Sequence, residues 1–378
     1  MQNKPNLLNA QMNISLSLTK YYEKERLCKC GENKPKQTQP VVSLSNLLQT
    51  RQFSKFFLAF AFLCPIYNLA MQNWTIQSLL NWTSCYLAEK NIDSPRLNAE
   101  MLLSHVLGLK RIELYTHFNK VVEHQQLDRL RELVKRAGSN EPVAYLVGKT
   151  EFYSLELDVS GDCMIPRPET ELLVQWAVEF LRMREGTQFV CDLCTGCGCI
   201  AVALARNFAN ARIIATDISS AALRVAARNT EKHRVGDRIQ LLQGDLFEPL
   251  IPHLDVGGFD LIVCNPPYVS STEYERLDRN VKDFEPRLAL FGGTDGLDVY
   301  RRIAEHVNQF LKADSVLMLE IGYAQGPTVK RMIEETGLFS EVRVGKDFHN
   351  NDRIVIASKC RTQFFGGNRE AKDRSCQT

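Results

Sequence analysis

From residue 188 onward, short apolar runs alternate with stretches whose apolar residues recur at helical spacing. Short apolar runs bounded by polar turns are typical of buried strands. The predicted strands cover residues 189–193, 212–216, 239–242, 259–264, 315–321 and 353–357. Strands that alternate with helices predict an α/β fold, in which a parallel or mostly parallel sheet carries helices on both faces.

The chain before residue 140 has a helical pattern instead. Between Trp74 and about Gly138 apolar side chains recur every three or four residues, and Ser94-Pro95 has the residue types of an N-cap and a first helical turn. This pattern predicts a small helical domain, either a substrate-docking module or a packing appendage. The predicted segments are 71–140 (helical domain), 141–170 (hairpin and loop linker) and 171–359 (sheet domain).

The two ends of the chain differ in composition from the rest. Residues 1–70 are rich in Asn, Gln and Ser and contain few acids, while residues 360–378 are polar and contain glycine. We expect the C-terminal segment to be disordered. Three interpretations of residues 1–70 are open: a disordered extension, a mis-assigned start with Met71 as the first residue, or an organellar transit peptide.

Composition and charge exclude several classes of partner. The net charge of +2 gives no overall attraction to nucleic acid, so we expect no direct nucleic-acid partner. No stretch reaches the ~18 apolar residues of a membrane span, so we expect no membrane partner. Twelve cysteines in 378 residues favour reduced thiols and a cytoplasmic protein, or a mitochondrial one if residues 1–70 are a transit peptide. We expect the protein to be a monomer.

Candidate chemistry first appears at Asn265-Pro266-Pro267-Tyr268, directly after the apolar run 259–264. Two prolines stop a strand and fix a rigid turn. Asn265 is therefore expected at the carboxyl end of a strand, where open α/β sheets bind their ligands. A side-chain amide beside free carbonyls and an aromatic ring can hold a planar NH2 group, which favours chemistry on an amide or amino nitrogen.

A second candidate site follows the run 189–193, as Cys194-Thr195-Gly196-Cys197-Gly198. Glycines let the backbone approach a ligand, and free N–H groups where a helix begins can bind polar or anionic groups. Asp217 ends the next strand, about 20 residues on, where an acid commonly bonds ribose hydroxyls. Asp245 follows the strand after that, and Phe247 offers an apolar surface for an adenine ring.

This loop fits a dinucleotide-binding oxidoreductase and a Rossmann-like methyltransferase equally well. The turn at Asn265 favours a methyltransferase, since a dehydrogenase has no need of a rigid amide-binding turn. The four cysteines at 191, 194, 197 and 199 resemble the start of an iron–sulfur motif, but their last spacing does not fit and no proline follows. We interpret them as small apolar side chains and expect no metal.

Both motifs together resemble the peptide chain release factor glutamine N5-methyltransferases of the PrmC/HemK type. The resemblance covers roughly residues 72–358. Besides Asn265 to Tyr268, it rests on Glu141-Pro-Val-Ala-Tyr145, Phe152-Tyr153, Ile165-Pro-Arg-Pro-Glu-Thr-Glu171, Phe284-Glu-Pro-Arg287 and Gly292-Gly-Thr-Asp-Gly296. Asn-Pro-Pro-Tyr by itself also occurs in DNA adenine methyltransferases, so the specificity lies in the combination.

The resemblance implies a class I methyltransferase sheet and S-adenosylmethionine as the methyl donor. It implies that residues 194–198 bind the cofactor, that Asp217 holds the ribose, and that Phe247 flanks the adenine. Residues 265–268 would hold a substrate glutamine, with Asn265, Pro266 and Tyr268 acting at the reacting amide and Asn265 also meeting the cofactor. The family usually has glycine at position 194, where a cysteine Cβ can crowd the methionine end of the cofactor. Because Gly196 and Gly198 remain, we expect this cysteine to be tolerated without loss of cofactor binding.

The expected reaction is methyl transfer to the glutamine of the Gly-Gly-Gln motif in class I peptide chain release factors. Two enzyme alternatives are methylation of a ribosomal-protein glutamine and adenine-N6 methylation of nucleic acid. A non-catalytic cofactor-binding scaffold and a nicotinamide oxidoreductase are more distant alternatives.

Overall fold

The computed structural model describes residues 74–360, so the predictions for residues 1–70 and for the last 18 residues lie outside the described residues. The first helices are α1 (Ile76–Glu89), α2 (Pro95–Leu107), α3 (Arg111–Thr116), α4 (His124–Ala137) and α5 (Val143–Val147). Ser94 is the N-cap of α2 and Pro95 begins the helix, as predicted, but Ser94 is left-handed at φ 48° and its side chain makes no capping hydrogen bond.

A two-stranded hairpin follows the helices. Strands β1 (Lys149–Phe152) and β2 (Leu155–Asp158) pair antiparallel, as the alternation at 150–159 predicts. Tyr153 and Ser154 occupy the tight turn, both with positive φ. A loop then leads to α6 (Thr170–Arg182) and the large sheet.

The sheet has seven strands, and the six that the apolar runs predict are all present. The strands are β3 (Gln188–Leu193), β4 (Ala211–Asp217), β5 (Ile239–Gln243), β6 (Phe259–Cys264), β7 (Leu311–Glu320), β8 (Glu341–Lys346) and β9 (Asp352–Ser358). Their order is β5-β4-β3-β6-β7-β9-β8. The first five pair in parallel, whereas β9 is antiparallel to both β7 and β8. The predicted mostly parallel sheet is confirmed, and β8 is an additional edge strand.

Helices cover both faces of the sheet. The helices from α6 onward are α6, α7 (Cys199–Asn207), α8 (Ser220–Lys232), α9 (Ser271–Tyr274), α10 (Arg279–Lys282), α11 (Arg287–Leu290), α12 (Asp298–His306) and α13 (Gly326–Glu335), with 3-10 turns at Glu248–Val256 and Val307–Phe310. Within residues 74–360, none of the helices has the length and apolarity that crossing a bilayer requires.

Strand β6 shows why both faces must be covered. All six of its residues are buried. Leu261 and Val263 pack into a core cluster with α6 and α7, while Ile262 and Cys264 pack into a second cluster with α12 and α13. Successive side chains of a strand point to opposite faces, so a continuous apolar run needs an apolar layer on each side.

The order of the strands places the two candidate loops side by side. From β3 the chain moves outward through β4 and β5, then returns to β6 on the other side of β3. Leu193 is in register with Cys264, so the loops that follow these residues leave the sheet from neighbouring positions. Ligands of open α/β sheets bind in the crevice at such a reversal of strand order.

Truncating Ile262 to alanine tests how much this central strand contributes. The side chain is fully buried, so Ile262→Ala should lower the free energy of unfolding by about 2–5 kcal/mol. Ile112, 69% exposed on α3, is the matched control, and its truncation should change the free energy by less than about 0.5 kcal/mol. Urea unfolding measures both, and equal effects would contradict the assigned burial.

Candidate active site

A cavity of about 330 Å³ lies at the carboxyl ends of β3, β4 and β6. Eight of the predicted site residues line it: Cys194, Thr195, Gly196, Cys197, Asp217, Asp245, Asn265 and Pro267. Gly198, Phe247, Pro266 and Tyr268 do not line it. The crevice therefore brings together most of the predicted site residues, which come from the ends of the four strands β3, β4, β5 and β6.

The loop after β3 folds back on itself through left-handed residues. Cys194, Gly196 and Gly198 have φ of 57°, 57° and 81°. A Cβ built on Gly196 would meet no atom within 4 Å, so the backbone there faces open space, whereas at Gly198 it would approach Ala226 of α8 to 3.1 Å. Gly196 thus leaves room for a ligand, and Gly198 allows close helix packing.

Cys194 adopts a conformation that favours glycine, which gives a backbone reason for the family's usual glycine there. Its side chain packs against the core cluster that contains Cys264, the last residue of the neighbouring strand. The predicted crowding of a cofactor by this Cβ stays a prediction.

Asp192 was not among the predicted site residues, and its side chain stabilises the loop at 194–198 through hydrogen bonds. One carboxyl oxygen accepts hydrogen bonds from the Thr195 hydroxyl at 2.6 Å and from the Ala201 backbone N–H at 3.1 Å. Burial raises the pKa of Asp192 to about 7, against the opposing effect of these two bonds. An acid within the otherwise apolar run 189–193 was the signal that could have identified it.

Asp217 joins the loop to the end of β4. Its two carboxyl oxygens accept from the backbone N–H groups of Gly196 at 2.8 Å and Ser219 at 2.9 Å. Burial raises its pKa, and both bonds oppose that rise. A carboxylate has about four acceptor positions, so Asp217 retains capacity for hydroxyl donors from a ligand in the cavity.

The turn after β5 presents Leu246, and not Phe247, to the cavity. Leu246 has φ of 49° and lines the cavity, whereas the Phe247 ring stacks on Phe310 at 4.7 Å. The structure therefore does not bring the predicted adenine-flanking ring to the cavity. Asp245 lines it and forms an ion pair with Arg302 at 2.8 Å.

Asn265 lies where β6 ends, half-buried, and its side-chain NH2 donates to the Thr170 hydroxyl at 3.1 Å. The amide nitrogen is thus occupied, which leaves the amide oxygen as the free acceptor. Thr170 begins α6 and also lines the cavity, so α6 and the turn meet at the same place. Thr170 was not among the predicted site residues.

The turn at 265–268 is tightly enclosed by the glycine-rich segment 292–296. A Cβ on Gly292 would lie 2.5 Å from the Pro267 carbonyl oxygen, and one on Gly296 would lie 2.3 Å from that of Tyr268. The Gln325 side chain donates to the Tyr268 carbonyl at 3.0 Å. The two glycines are therefore required for close approach, and they fix the turn that carries Asn265.

Arg167, whose role the sequence leaves open, pairs with Glu285. Glu285 is buried and also accepts from the Ile165 backbone N–H at 3.3 Å. Burial raises the pKa of Glu285, and the Arg167 charge opposes that rise. The pair ties the loop before α6 to the segment 284–291, so two walls of the cavity are held together.

The cysteines near the loop show no metal-binding arrangement. Cys191 is buried inside β3 and Cys199 is the first residue of α7, as predicted. Burial raises the pKa of Cys191 well above its ordinary value, which disfavours a thiolate ligand. Among residues 74–360, no group of three or more His, Cys, Asp or Glu side chains is placed to hold a metal ion.

The cavity suits an elongated ligand with hydroxyl groups and an apolar ring. Backbone at Gly196 and acceptors at Asp217 lie on one side, while Ile218, Ala222 and Leu246 provide apolar contacts. Asn265 lies at the β6 end of the same space. A nucleoside bearing an amino-acid tail matches this distribution of polar and apolar groups.

Two family models match the chain. Residues 78–148 match the PrmC N-terminal domain, and residues 170–283 match the Methyltransferase small domain. With the mostly parallel seven-stranded sheet, the second match confirms the predicted Rossmann-like class I methyltransferase fold.

Relatives with known names match over most of the described chain. A release factor glutamine methyltransferase from Rhodopirellula baltica is 41% identical over 289 residues, which cover 76% of this chain and 97% of the relative. One from Geobacter sulfurreducens is 42% identical over 282 residues, which cover 75% of this chain and 96% of the relative. A solved release factor-specific protein-(glutamine-N5) methyltransferase from Alicyclobacillus acidocaldarius is 29% identical, with a TM-score of 0.35, and covers 54% of this chain and 99% of its own. From the sequence identity to nearly full-length relatives, we conclude that the chain belongs to the release factor glutamine methyltransferase family.

Proposed function

We propose that this chain transfers a methyl group from S-adenosylmethionine to the side-chain amide nitrogen, N5, of the glutamine in the Gly-Gly-Gln motif of class I release factors. The observation that carries the proposal is the single cavity shared by the loop at 194–198 and the amide of Asn265. A cofactor loop and an acceptor for a planar NH2 group in one crevice are the two parts that such a reaction needs.

The residues present fit the cofactor. The open space at Gly196 would let its polar tail approach the loop backbone closely, Asp217 would accept from its ribose hydroxyls, and Leu246 with Ile218 would contact its adenine ring. Asp245 would contact the same end of the ligand beside its partner Arg302. When bound, S-adenosylmethionine supplies an electrophilic methyl group on a sulfonium.

The protein has to orient an amide nitrogen, which is a weak nucleophile because its lone pair is delocalised into the carbonyl. The Asn265 side-chain oxygen and the Pro266 carbonyl would accept the two amide hydrogens of the substrate glutamine. The nitrogen lone pair then points along the direction of attack, and such positioning can contribute about 7–11 kcal/mol to lowering the barrier. The proton can leave after the nitrogen has become positively charged, so no base is required before attack.

Tyr268 would pack against the substrate side chain from the turn itself. Its ring is partly buried against the core, and burial raises the pKa of its hydroxyl, so it stays neutral at physiological pH. We assign it a packing role, since proton abstraction would require the ionised form.

We propose that the helical segment before the sheet docks the rest of the release factor. The protein would act as a monomer and make no direct contact with nucleic acid. Ile112, Tyr115 and Val121 on this segment are 69%, 42% and 49% exposed. Exposed apolar side chains of this kind suit a protein partner. The same substrate would place the reaction in the cytoplasm, or in mitochondria if residues 1–70 are a transit peptide.

Incubation with a recombinant class I release factor and labelled S-adenosylmethionine tests the proposal. We expect one added methyl group, detected by mass spectrometry on the Gly-Gly-Gln glutamine, because the site offers one acceptor pair for one amide. A factor whose motif glutamine is replaced by glutamate is the control and should stay unmodified. Methylation of a ribosomal protein or of DNA adenine, with the release factor untouched, would contradict the proposal.

Two single substitutions separate substrate orientation from cofactor binding. Asn265→Ala should lower the methylation rate at least about 100-fold while cofactor affinity changes little, because the lost acceptor serves the glutamine. Asp217→Ala should weaken cofactor binding by about 10- to 100-fold, since it removes acceptors for ribose hydroxyls. Calorimetric titration with S-adenosylhomocysteine and a turnover assay distinguish the two. Loss of cofactor binding in the Asn265 variant would mean that its role is misassigned.

A further inference from the structure

One buried side chain hydrogen-bonds both the loop at 194–198 and the β1–β2 hairpin, and it has no part in the mechanism above. Asn229 lies on α8 and is fully buried. Its side-chain nitrogen donates to the Cys197 carbonyl at 2.9 Å and to the Asp158 carbonyl at 2.9 Å. Its side-chain oxygen accepts from the Asp158 backbone N–H at 2.7 Å. A single amide therefore connects the end of β2 to the loop.

The hydrogen-bond partners fix the orientation of the Asn229 amide. The NH2 group of an amide has two hydrogens to donate, while the amide oxygen can only accept. The nitrogen faces two carbonyls and the oxygen faces an N–H group, so turning the amide over would lose all three bonds. Because unpaired buried polar groups are costly, this arrangement is strongly favoured.

The Cys197 carbonyl lies where the loop backbone most needs support. Cys197 is placed between Gly196 and Gly198, which both have left-handed backbone, with φ of 57° and 81°. Glycine allows many backbone conformations, so contacts from the surrounding structure must select the one that the folded loop adopts. The bond from Asn229 comes from outside the loop and fixes the position of this carbonyl relative to α8.

The hairpin and the end of the helical segment also pack on this loop through apolar contacts. A small buried cluster at this place consists of Val159, Cys163, Cys197, Ala222 and Val225. Ala144 and Tyr145 of α5 pack against the cluster, and the Tyr145 hydroxyl donates to the Cys163 carbonyl at 2.5 Å. The loop, the residue that follows β2 and the last helix before the hairpin therefore share one small core.

We propose that Asn229 is a positioning residue that couples the β1–β2 hairpin to the loop at 194–198, so that cofactor binding and ordering of the hairpin favour each other. The inference rests on the proposed function for the identity of the ligand, S-adenosylmethionine. Coupling of this kind is reciprocal. A ligand that stabilises the loop must stabilise the hairpin bonded to it, and a broken link must weaken binding of the ligand.

Hydrogen exchange followed by nuclear magnetic resonance tests the coupling in the wild-type protein. Asp158, whose amide donates to Asn229, does not line the cavity. S-adenosylhomocysteine should nevertheless slow exchange of this amide at least about tenfold. The Tyr153 amide of the same hairpin donates to the Glu171 carboxyl at 2.7 Å and is the internal control, which should change less than about twofold. Unchanged exchange at Asp158, or equal slowing of both amides, would overturn the inference.

Substitution of Asn229 tests the other direction of the coupling. Asn229→Ala should weaken binding of S-adenosylhomocysteine about 10- to 100-fold and raise KM for S-adenosylmethionine, because the loop loses its bond to α8. At saturating cofactor kcat should stay within about threefold of the wild-type value, as expected when the lost binding is shared by the ground and transition states. Calorimetric titration and a turnover assay measure these quantities.

Lys232→Met is the matched control. Lys232 lies on the same helix and binds the same hairpin through Glu156 at 3.1 Å and Asp158 at 2.7 Å, with no hydrogen bond to residues 194–198. Its loss should change cofactor affinity less than about twofold, since ion pairs near the surface contribute little. Equal loss of affinity in both folded variants, or no loss in Asn229→Ala, would overturn the inference. If Asn229→Ala does not fold, the exchange measurement on the wild-type protein decides.

The assay with a release factor separates this inference from the proposed function. Slower exchange at Asp158 on cofactor binding, without methylation of the release factor, would support the coupling and contradict the proposed substrate. Methylation of the release factor by a protein whose Asp158 amide does not respond to the cofactor would contradict the coupling alone.

Discussion

The structure depends on one constraint, the parallel pairing of β3 and β6 with Leu193 opposite Cys264. Because the strand order reverses between these two strands, the loops that leave them cannot cover each other and a crevice remains. The loop at 194–198, where we propose that the cofactor binds, follows Leu193, and Asn265 follows Cys264. Both faces of these strands are buried under helices, so a slip in register would expose apolar side chains and is strongly disfavoured.

Buried polar side chains hold the crevice in shape. Asp192 fixes the loop at 194–198, Glu285 holds the wall that carries Arg167, and Glu320 lies buried at the end of β7, beside the end of β6. Burial raises the pKa of all three acids, so each is held at some cost to the free energy of folding. Such groups, placed next to a cavity and otherwise out of place in a core, are the expected signature of a site whose geometry must be exact to fractions of an ångström.

Sequence reasoning recovered the features that depend on local pattern. Apolar runs identified every parallel strand, and loop chemistry identified eight of the residues that line the cavity. Edge strand β8 was not predicted because its residues alternate and include Gly345, a pattern weaker than a buried run. The prediction placed Phe247 against the adenine because the sequence shows its aromatic ring. The sequence does not show that Leu246 has a left-handed backbone, which turns the chain so that Leu246 lines the cavity instead. Thr170 contacts Asn265 across 95 residues of sequence, and only the folded chain brings them together.

We propose that one crevice holds the cofactor and, through Asn265, the substrate amide. A crystal structure with S-adenosylhomocysteine and a peptide containing Gly-Gly-Gln tests this most directly. It should place the glutamine side-chain nitrogen within hydrogen-bonding distance of the Asn265 side-chain oxygen, with the cofactor sulfur on the other side of that nitrogen. A glutamine bound away from Asn265, or a cofactor bound outside the loop at 194–198, would contradict the account.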